Sequence, residues 1–447
     1  MAQATRLHPL LRRSRAMWLS RGVWPPRLVF WLGALAIGVV SVLFAALANR
    51  AQDLFSRVFV SGGDVSYAVL LVTPIGFLLC AWQAYALFPG SQGSGIPQCI
   101  AARHLRDDVD RDRLLSLRLA VAKIVLTIVG LGCGASIGRE GPTVQVGASI
   151  MLQAAKIGGM TQARGLILAG SAAGIAAAFN TPLAGIVFAI EEMGRTYEAR
   201  TNGLVLSAVI IAGLAALALI GNYTYFGAAR IQVAHPADWL AVLLCGVVGG
   251  ALGAAFSMLA LGITRRVRRT MSSRPLERTL LLAFLCGLGV ALIGIVSDGQ
   301  TFGTGYQQAR GAVEGASLPA IFFVEKLAAS LLSTVSGIPG GLFAPSLSVG
   351  AGLGSTIGTL LGISVGTAAV LGMAGYFAGV VQAPMTAFVI VLEMTGSQTN
   401  IIPLMLTATL GYGTARLISH EPIYHGLSRL FIADALRQRR KDTASSL

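Results

Sequence analysis

The chain alternates long apolar runs with short polar breaks. Leu28 to Leu47, Ala68 to Phe88, Gly203 to Ile220, Trp239 to Ile263 and Leu280 to Val296 contain no charged residue. A helix crosses the hydrocarbon core of a bilayer in about 17–25 residues, so each run predicts a membrane-spanning helix. With the shorter apolar stretches, roughly a dozen membrane-embedded segments fit the chain. One break does not read as a loop. Gly138-Arg139-Glu140-Gly141-Pro142 lies inside an apolar stretch, where ionisable residues mark an ion or proton path. Glycine and proline there predict a broken helix, whose end leaves backbone N–H groups able to hold an anion.

Composition agrees with a polytopic membrane protein. Of 447 residues 54% are hydrophobic and 12% charged, and mean hydropathy is +0.72, too little polar surface for a soluble globule of this size. The net charge of +15 does not indicate nucleic acid, because the basic residues gather at span ends and not beside aromatics in a soluble domain. Retention of basic loops on the cytoplasmic side accounts for it. On that rule Arg6, Arg12, Arg13, Arg15, Arg21 and Arg27 place the N-terminus inside, and Arg437, Arg439, Arg440 and Lys441 the C-terminus. Arg103 to Arg118 and Arg265 to Arg278 mark inside loops, and the sparsely basic loop after Leu47 falls outside.

A cleaved signal peptide is the rival reading of the first run, given Ala46-Leu47-Ala48. The run is too long for one and a further span follows, which favours an uncleaved helix. The five cysteines, Cys80, Cys99, Cys133, Cys245 and Cys286, show no paired spacing and read as small buried hydrophobes. The histidines, His8, His104, His235, His420 and His425, are all assigned to termini or span-flanking loops. No metal-ligand spacing occurs, and neither metal nor cofactor is expected.

The chain repeats itself. Gly138 to Ala148 aligns with Gly341 to Ala351 at an offset of 203 residues, with glycine, proline, valine, glycine and alanine coinciding. Asn180-Thr181-Pro182 and Glu191-Glu192-Met193 recur as Gln382-Ala383-Pro384 and Glu393-Met394, and Gly93-Ser94-Gly95 as Gly303-Thr304-Gly305. Three matches in one order indicate a duplicated unit. The charge map gives the halves opposite orientation, so the repeat is inverted, with a site expected near the midplane between discontinuous helices. The halves are read as 28–221 and 237–431, with a basic cytoplasmic N-terminus at 1–27 and a cytoplasmic tail at 432–447, too short for a regulatory domain.

Four motifs carry the chemistry: Gly93-Ser94-Gly95-Ile96-Pro97, Gly138-Arg139-Glu140-Gly141-Pro142, Gly341-Leu342-Phe343-Ala344-Pro345, and Tyr424 within Pro422-Ile423-Tyr424-His425. The three glycine motifs each precede a helical pattern, and proline is tolerated in a first turn, where its missing N–H goes unused. Helix N-termini converging on one point would replace an anion's hydration shell with backbone dipoles. Singly, each glycine motif also reads as a packing turn. Together, in this order and with this repeat, they resemble the CLC family of chloride channels and chloride/proton antiporters, over nearly the whole chain from the first span to Tyr424.

That resemblance implies an all-α inverted-repeat fold and a set of roles. Ser94 and Tyr424 would coordinate a central chloride by their hydroxyls, with the backbone N–H groups of Leu342 and Phe343. Glu140 matches the gating glutamate, with Arg139 and Gly141 supplying backbone donors at an outer anion position. Glu192 matches the internal proton-relay glutamate of the family's antiporters, a position usually apolar in its channels. The resemblance further implies a homodimer with one pathway per subunit. The short ends suit a bacterial inner membrane. Serine at position 94 goes with chloride over nitrate, and the serine and tyrosine pattern argues against fluoride.

Other polar residues read less sharply. Glu191 and Glu393 are expected to be structural, Glu191 pairing with a basic group or capping a turn, and the alternative reading of Arg139 is a side chain that simply pairs with a carboxylate elsewhere. Lys123 is either snorkelled or paired, or attracts anions over distance. Gln98 stands where family members frequently have glutamate, removing a charge near the inner mouth. The rival functions are a passive chloride channel, a transporter for a bulkier solute, and an intramembrane hydrolase using Ser136. The last needs a base within hydrogen-bond reach, which no histidine position supplies.

Overall fold

Each apolar run folds as a helix. The structure, a computed structural model, describes residues 24–61, 64–194, 199–221, 223–227, 233–270, 275–396 and 401–445. Most of the basic N-terminal segment, with Arg6, Arg12, Arg13, Arg15, Arg21 and His8, and also Arg274, lie outside the described residues. Seven described helices are long and apolar enough to span a bilayer: Trp24–Phe59, Val69–Leu87, Asp108–Gly132, Gly203–Ile220, Pro236–Arg269, Leu276–Val296 and Ile401–Ile418. They contain four of the five runs named above, and the fifth, Ala68 to Phe88, overhangs its span by one residue at each end. Leu32, Leu43, Leu71, Leu214 and Leu360 are exposed on the outside of the bundle, where hydrocarbon tails replace water as the solvent.

Shorter helices fill the interior. Ile96–His104 and Tyr306–Val313 are too short to cross, and Ala163–Phe179 and Val365–Val381 are almost wholly buried. Ile96–His104, Pro182–Phe188 and Pro384–Met394 carry a proline in the first turn, where its missing N–H goes unused. Both Asn180 and Gln382 end a helix in the left-handed conformation, at φ 57° and 55°, and each is followed by a residue and then a proline that opens the next helix.

The sequence repeat is a structural one. Glu140–Ile157 corresponds to Phe343–Leu361, Ala163–Phe179 to Val365–Val381, and Pro182–Phe188 to Pro384–Met394. A Cβ at Gly147 would lie 2.4 Å from the Gly170 carbonyl, and one at Gly350 2.6 Å from that of Gly372, so equivalent helix crossings need bare backbone. Gly138 and Gly341 form an isolated antiparallel bridge. Gly138 N–H donates to the Gly341 carbonyl at 2.8 Å, and Gly341 N–H donates to that of Gly138 at 2.6 Å. Equivalent residues can exchange bonds in this way only at the pseudo-twofold axis between inverted halves.

Helix Ala199–Ile220 ends just before the expected junction at 222–236, and Pro236–Thr270 begins at its last residue. The last helix, Ile423–Ser445, runs unbroken through residue 431, so Tyr424 and the tail share one rod. Arg113 holds Asp442 of that tail at 2.5 Å, and its guanidinium keeps the Asp442 carboxyl below the ordinary carboxylate range.

Candidate functional site

The turn before Ser94 is held by buried donors. Gly93 and Gly95 take φ of 62° and 101°, left-handed values that glycine adopts without strain, and Gly95 caps Ile96–His104. The turn exposes carbonyls that no helix satisfies. Lys123 Nζ donates to Ser91 and Gly93 at 2.7 and 2.6 Å, with Gln92 at 3.4 Å. Gln98 Nε2 donates to Gln92 and Gly90 at 2.5 and 3.1 Å, and Gln145 Nε2 to Gly90 and Leu114.

Lys123 therefore neither snorkels nor pairs with a carboxylate, contrary to the structural alternative drawn from sequence; its ammonium is spent on backbone. Gln98 is fully buried, and a carboxylate there could not donate to these carbonyls. Lys326 repeats the device in the second half, donating to Thr301 and Gly303 at 2.8 Å each.

Glu140 opens the helix Glu140–Ile157, with Arg139 as its cap residue, so its carboxylate faces a helix end where negative charge is favoured. It is fully buried. Its Oε1 accepts from the Tyr225 hydroxyl at 3.3 Å, while its Oε2 has no hydrogen-bond partner among the described residues. Arg139 Nη1 donates to Ala45 O and Asn49 Oδ1, both at 2.7 Å, and Arg139 Nε stands 4.0 Å from Glu140 itself. The carboxylate Arg139 approaches is thus its neighbour's, and not one elsewhere. The Arg139 guanidinium also lies 5.8 Å over the Tyr225 ring. A cavity of about 710 Å³ opens beside it, lined by Asn49, Arg139, Tyr223, Tyr225, Thr304 and Tyr306 among others.

Ser94, Tyr424 and the start of Phe343–Leu361 come together behind Glu140. Leu342 caps that helix and Phe343 begins it, so their amides lie among the first N–H groups, which have no intrahelical acceptor. The Ser94 and Tyr424 hydroxyls are buried without a hydrogen-bond partner among the described residues, although they face each other. A buried hydroxyl pair and helix amides sharing one place make a site with donors to spare. The Phe343 ring fixes it laterally, stacked on Phe179 at 6.1 Å and edge-on to Phe377 at 4.8 Å, with Tyr424 at 6.0 Å.

Glu192 is buried and lies against His425, the residue that follows Tyr424. It lies in a π-helical turn, Ala189–Gly194, a local widening that often re-aims a side chain at a functional site. His425 Nε2 is 3.0 Å from the Glu192 carbonyl and 3.7 Å from its Oε1. The sequence reading put every histidine in flanking positions; His425 instead lies on a helix against this carboxylate. Glu191, adjacent, accepts from the amides of Met385 and Thr386 at 3.1 and 2.6 Å. Glu393 accepts from Leu183 and Ala184 at 3.1 and 2.7 Å. Each half's glutamate thereby caps a helix of the other half.

Ser136 Oγ faces Ser330 Oγ at 3.1 Å, and neither is a base. Among the described residues no three His, Cys, Asp or Glu side chains group as metal ligands would.

The fold and this constellation define a polytopic α-helical membrane protein of inverted-repeat build, with a polar centre made of broken-helix N-termini. The family model described as voltage gated chloride channel matches residues 75–416, and the chain belongs to that family. It is 30% identical over 429 residues to the H(+)/Cl(-) exchange transporter ClcA of Yersinia pseudotuberculosis serotype IB (strain PB1/+), covering 90% of this chain and 87% of that one. It is similar to the crystal structure of a slow cyanobacterial Cl-/H+ antiporter, with TM-score 0.78, 24% identity, and 92% of this chain and 98% of that one covered. A CLC-type fluoride/proton antiporter aligns with TM-score 0.74 at 22% identity, over 90% of this chain and 96% of that one. These two share the fold.

Proposed function

We propose that the protein exchanges chloride for protons across a membrane. Chloride passes the hydroxyls of Ser94 and Tyr424 and the amides of Leu342 and Phe343, and the backbone of Arg139 and Gly141 serves an outer position. The Glu140 carboxylate, an anion mimic, closes that outer position while charged and leaves it when protonated. Glu192 carries protons between the inner solution and Glu140, so the two routes share Glu140 and separate inward.

The observation that carries this reading is a buried carboxylate with one unpartnered oxygen, at a helix N-terminus beside two unpartnered hydroxyls. The names of the exchange transporters to which the chain is similar support it. No chemical transformation of a substrate and no cofactor is involved. The protein works as a homodimer in a bacterial inner membrane, with both termini cytoplasmic and the repeats at 28–221 and 237–431.

The test is chloride-driven proton movement in liposomes containing the purified protein. Uphill proton movement, abolished by a proton ionophore, supports exchange. Chloride flux with no proton signal overturns it in favour of a passive channel.

A further inference from the structure

We propose that His425 passes protons between the solution and Glu192, an inference that rests on reading Glu192 as the inner proton carrier. The His425 side chain is 16% exposed where that of Glu192 is 2% exposed, so the imidazole bridges solvent and a buried carboxylate. Its Nε2 lies 3.0 Å from the Glu192 carbonyl, which fixes that nitrogen at the carboxylate's edge. The 3.7 Å to Oε1 exceeds the reach for proton transfer, about 2.6–3.2 Å, and a side-chain rotation closes it. In the step, the imidazolium N–H bond breaks, an O–H bond forms on Glu192, and the neutral imidazole takes its next proton from water.

The surrounding charges leave His425 as the group suited to the task. Arg103 on Ile96–His104 donates to the Met193 carbonyl, His104 on the same helix is exposed with its Nδ1 2.8 Å from the Ile100 carbonyl, and Arg265 on Pro236–Thr270 pairs with Glu421, which Arg429 also holds at 3.2 Å. Guanidinium does not release its proton near neutral pH. Glu191 is engaged by two amides, and Val365–Val381 brings no charged residue. Histidine both takes and gives a proton close to neutrality.

The experiment compares wild type, His425→Ala, His425→Gln and Glu192→Gln in liposomes, recording chloride and proton fluxes together. His425→Ala is expected to lose about tenfold or more of its proton flux per chloride, the lower figure being smaller than the roughly 10²–10⁴-fold of a group acting directly on a reacting atom. Imidazole in the medium should restore coupling, and pyrazole, of the same shape but far less basic, should not. His425→Gln, which can still donate to the Glu192 carbonyl, should stay uncoupled and decides the matter if the alanine variant does not fold. Normal coupling in His425→Gln, or equal rescue by pyrazole, overturns the inference while the antiport reading stands. If wild type moves no protons, the antiport reading itself fails.

Discussion

The Tyr225 hydroxyl donates to Glu140 Oε1 at 3.3 Å across 85 positions of sequence. Tyr225 lines the cavity beside Arg139, with its ring packed edge-on against Phe179 at 5.5 Å and Tyr306 at 5.0 Å, so it holds the carboxylate from a fixed frame. A hydrogen bond to a charged group contributes about 1.5–3 kcal/mol, less when long. Tyr225→Phe keeps the ring and removes the donor. Chloride turnover in liposomes should then rise by up to about tenfold, with its pH profile moved toward higher pH, because the anionic pose has lost a partner. An unchanged profile would separate the tyrosine from gating.

Glu140→Gln leaves a neutral side chain of the same shape. Such a side chain neither competes with chloride as an anion nor carries a proton. The expected outcome is continued chloride flux with proton movement abolished. Simultaneous chloride and pH electrodes on one vesicle suspension give both numbers.

Glu191 and Glu192 are neighbours with different surroundings. Glu192→Gln should uncouple proton from chloride flux while chloride permeation persists. Glu191→Ala, which uncaps Met385 and Thr386, should instead lower stability by about 1 kcal/mol. Thermal unfolding in detergent, run beside the flux assay, distinguishes them.

At Gly141 a Cβ would lie 2.3 Å from Ser94 Oγ and 2.9 Å from the Ser94 carbonyl. Gly141→Ala therefore displaces the serine hydroxyl at the centre of the site. Calorimetry of chloride binding in detergent should show affinity falling by about tenfold or more, equivalent to roughly 1.4 kcal/mol.

Lys123 offers a choice between two physical roles. As a backbone clamp its removal strands buried carbonyls, at about 1–3 kcal/mol for each; as a distant attractor it affects anion occupancy alone. Lys123→Met should lower the melting temperature sharply. A full-stability variant with weaker chloride binding would favour attraction.

Much of this was readable in advance, and for definite reasons. Spans are long enough to register as apolar runs, and the motifs at Ser94, Glu140 and Phe343 are marked by glycines and prolines that backbone geometry demands. The common offset of 203 residues also links Lys123 to Lys326, so a comparison of charges inside apolar runs would have found the second clamp. Tyr225 and His425 had no such signature. Their meaning depends on which distant carboxylate the fold sets beside them, and neither periodicity nor a local motif encodes that. Short helices such as Pro182–Phe188 escape hydropathy because they do not cross.

The exchanged caps bear on how the protein is made. Leu183 and Glu393 are 210 positions apart, and at about 5–20 residues per second the ribosome needs about 10–40 s to cover that distance. Throughout that interval the first half stands at the membrane with helix amides that hydrocarbon cannot satisfy. Water or the insertion machinery must shelter them until Glu393 arrives. Nascent first halves are therefore obligate intermediates, and a chain cut in the 221–236 connection would yield two pieces that mature only by finding each other.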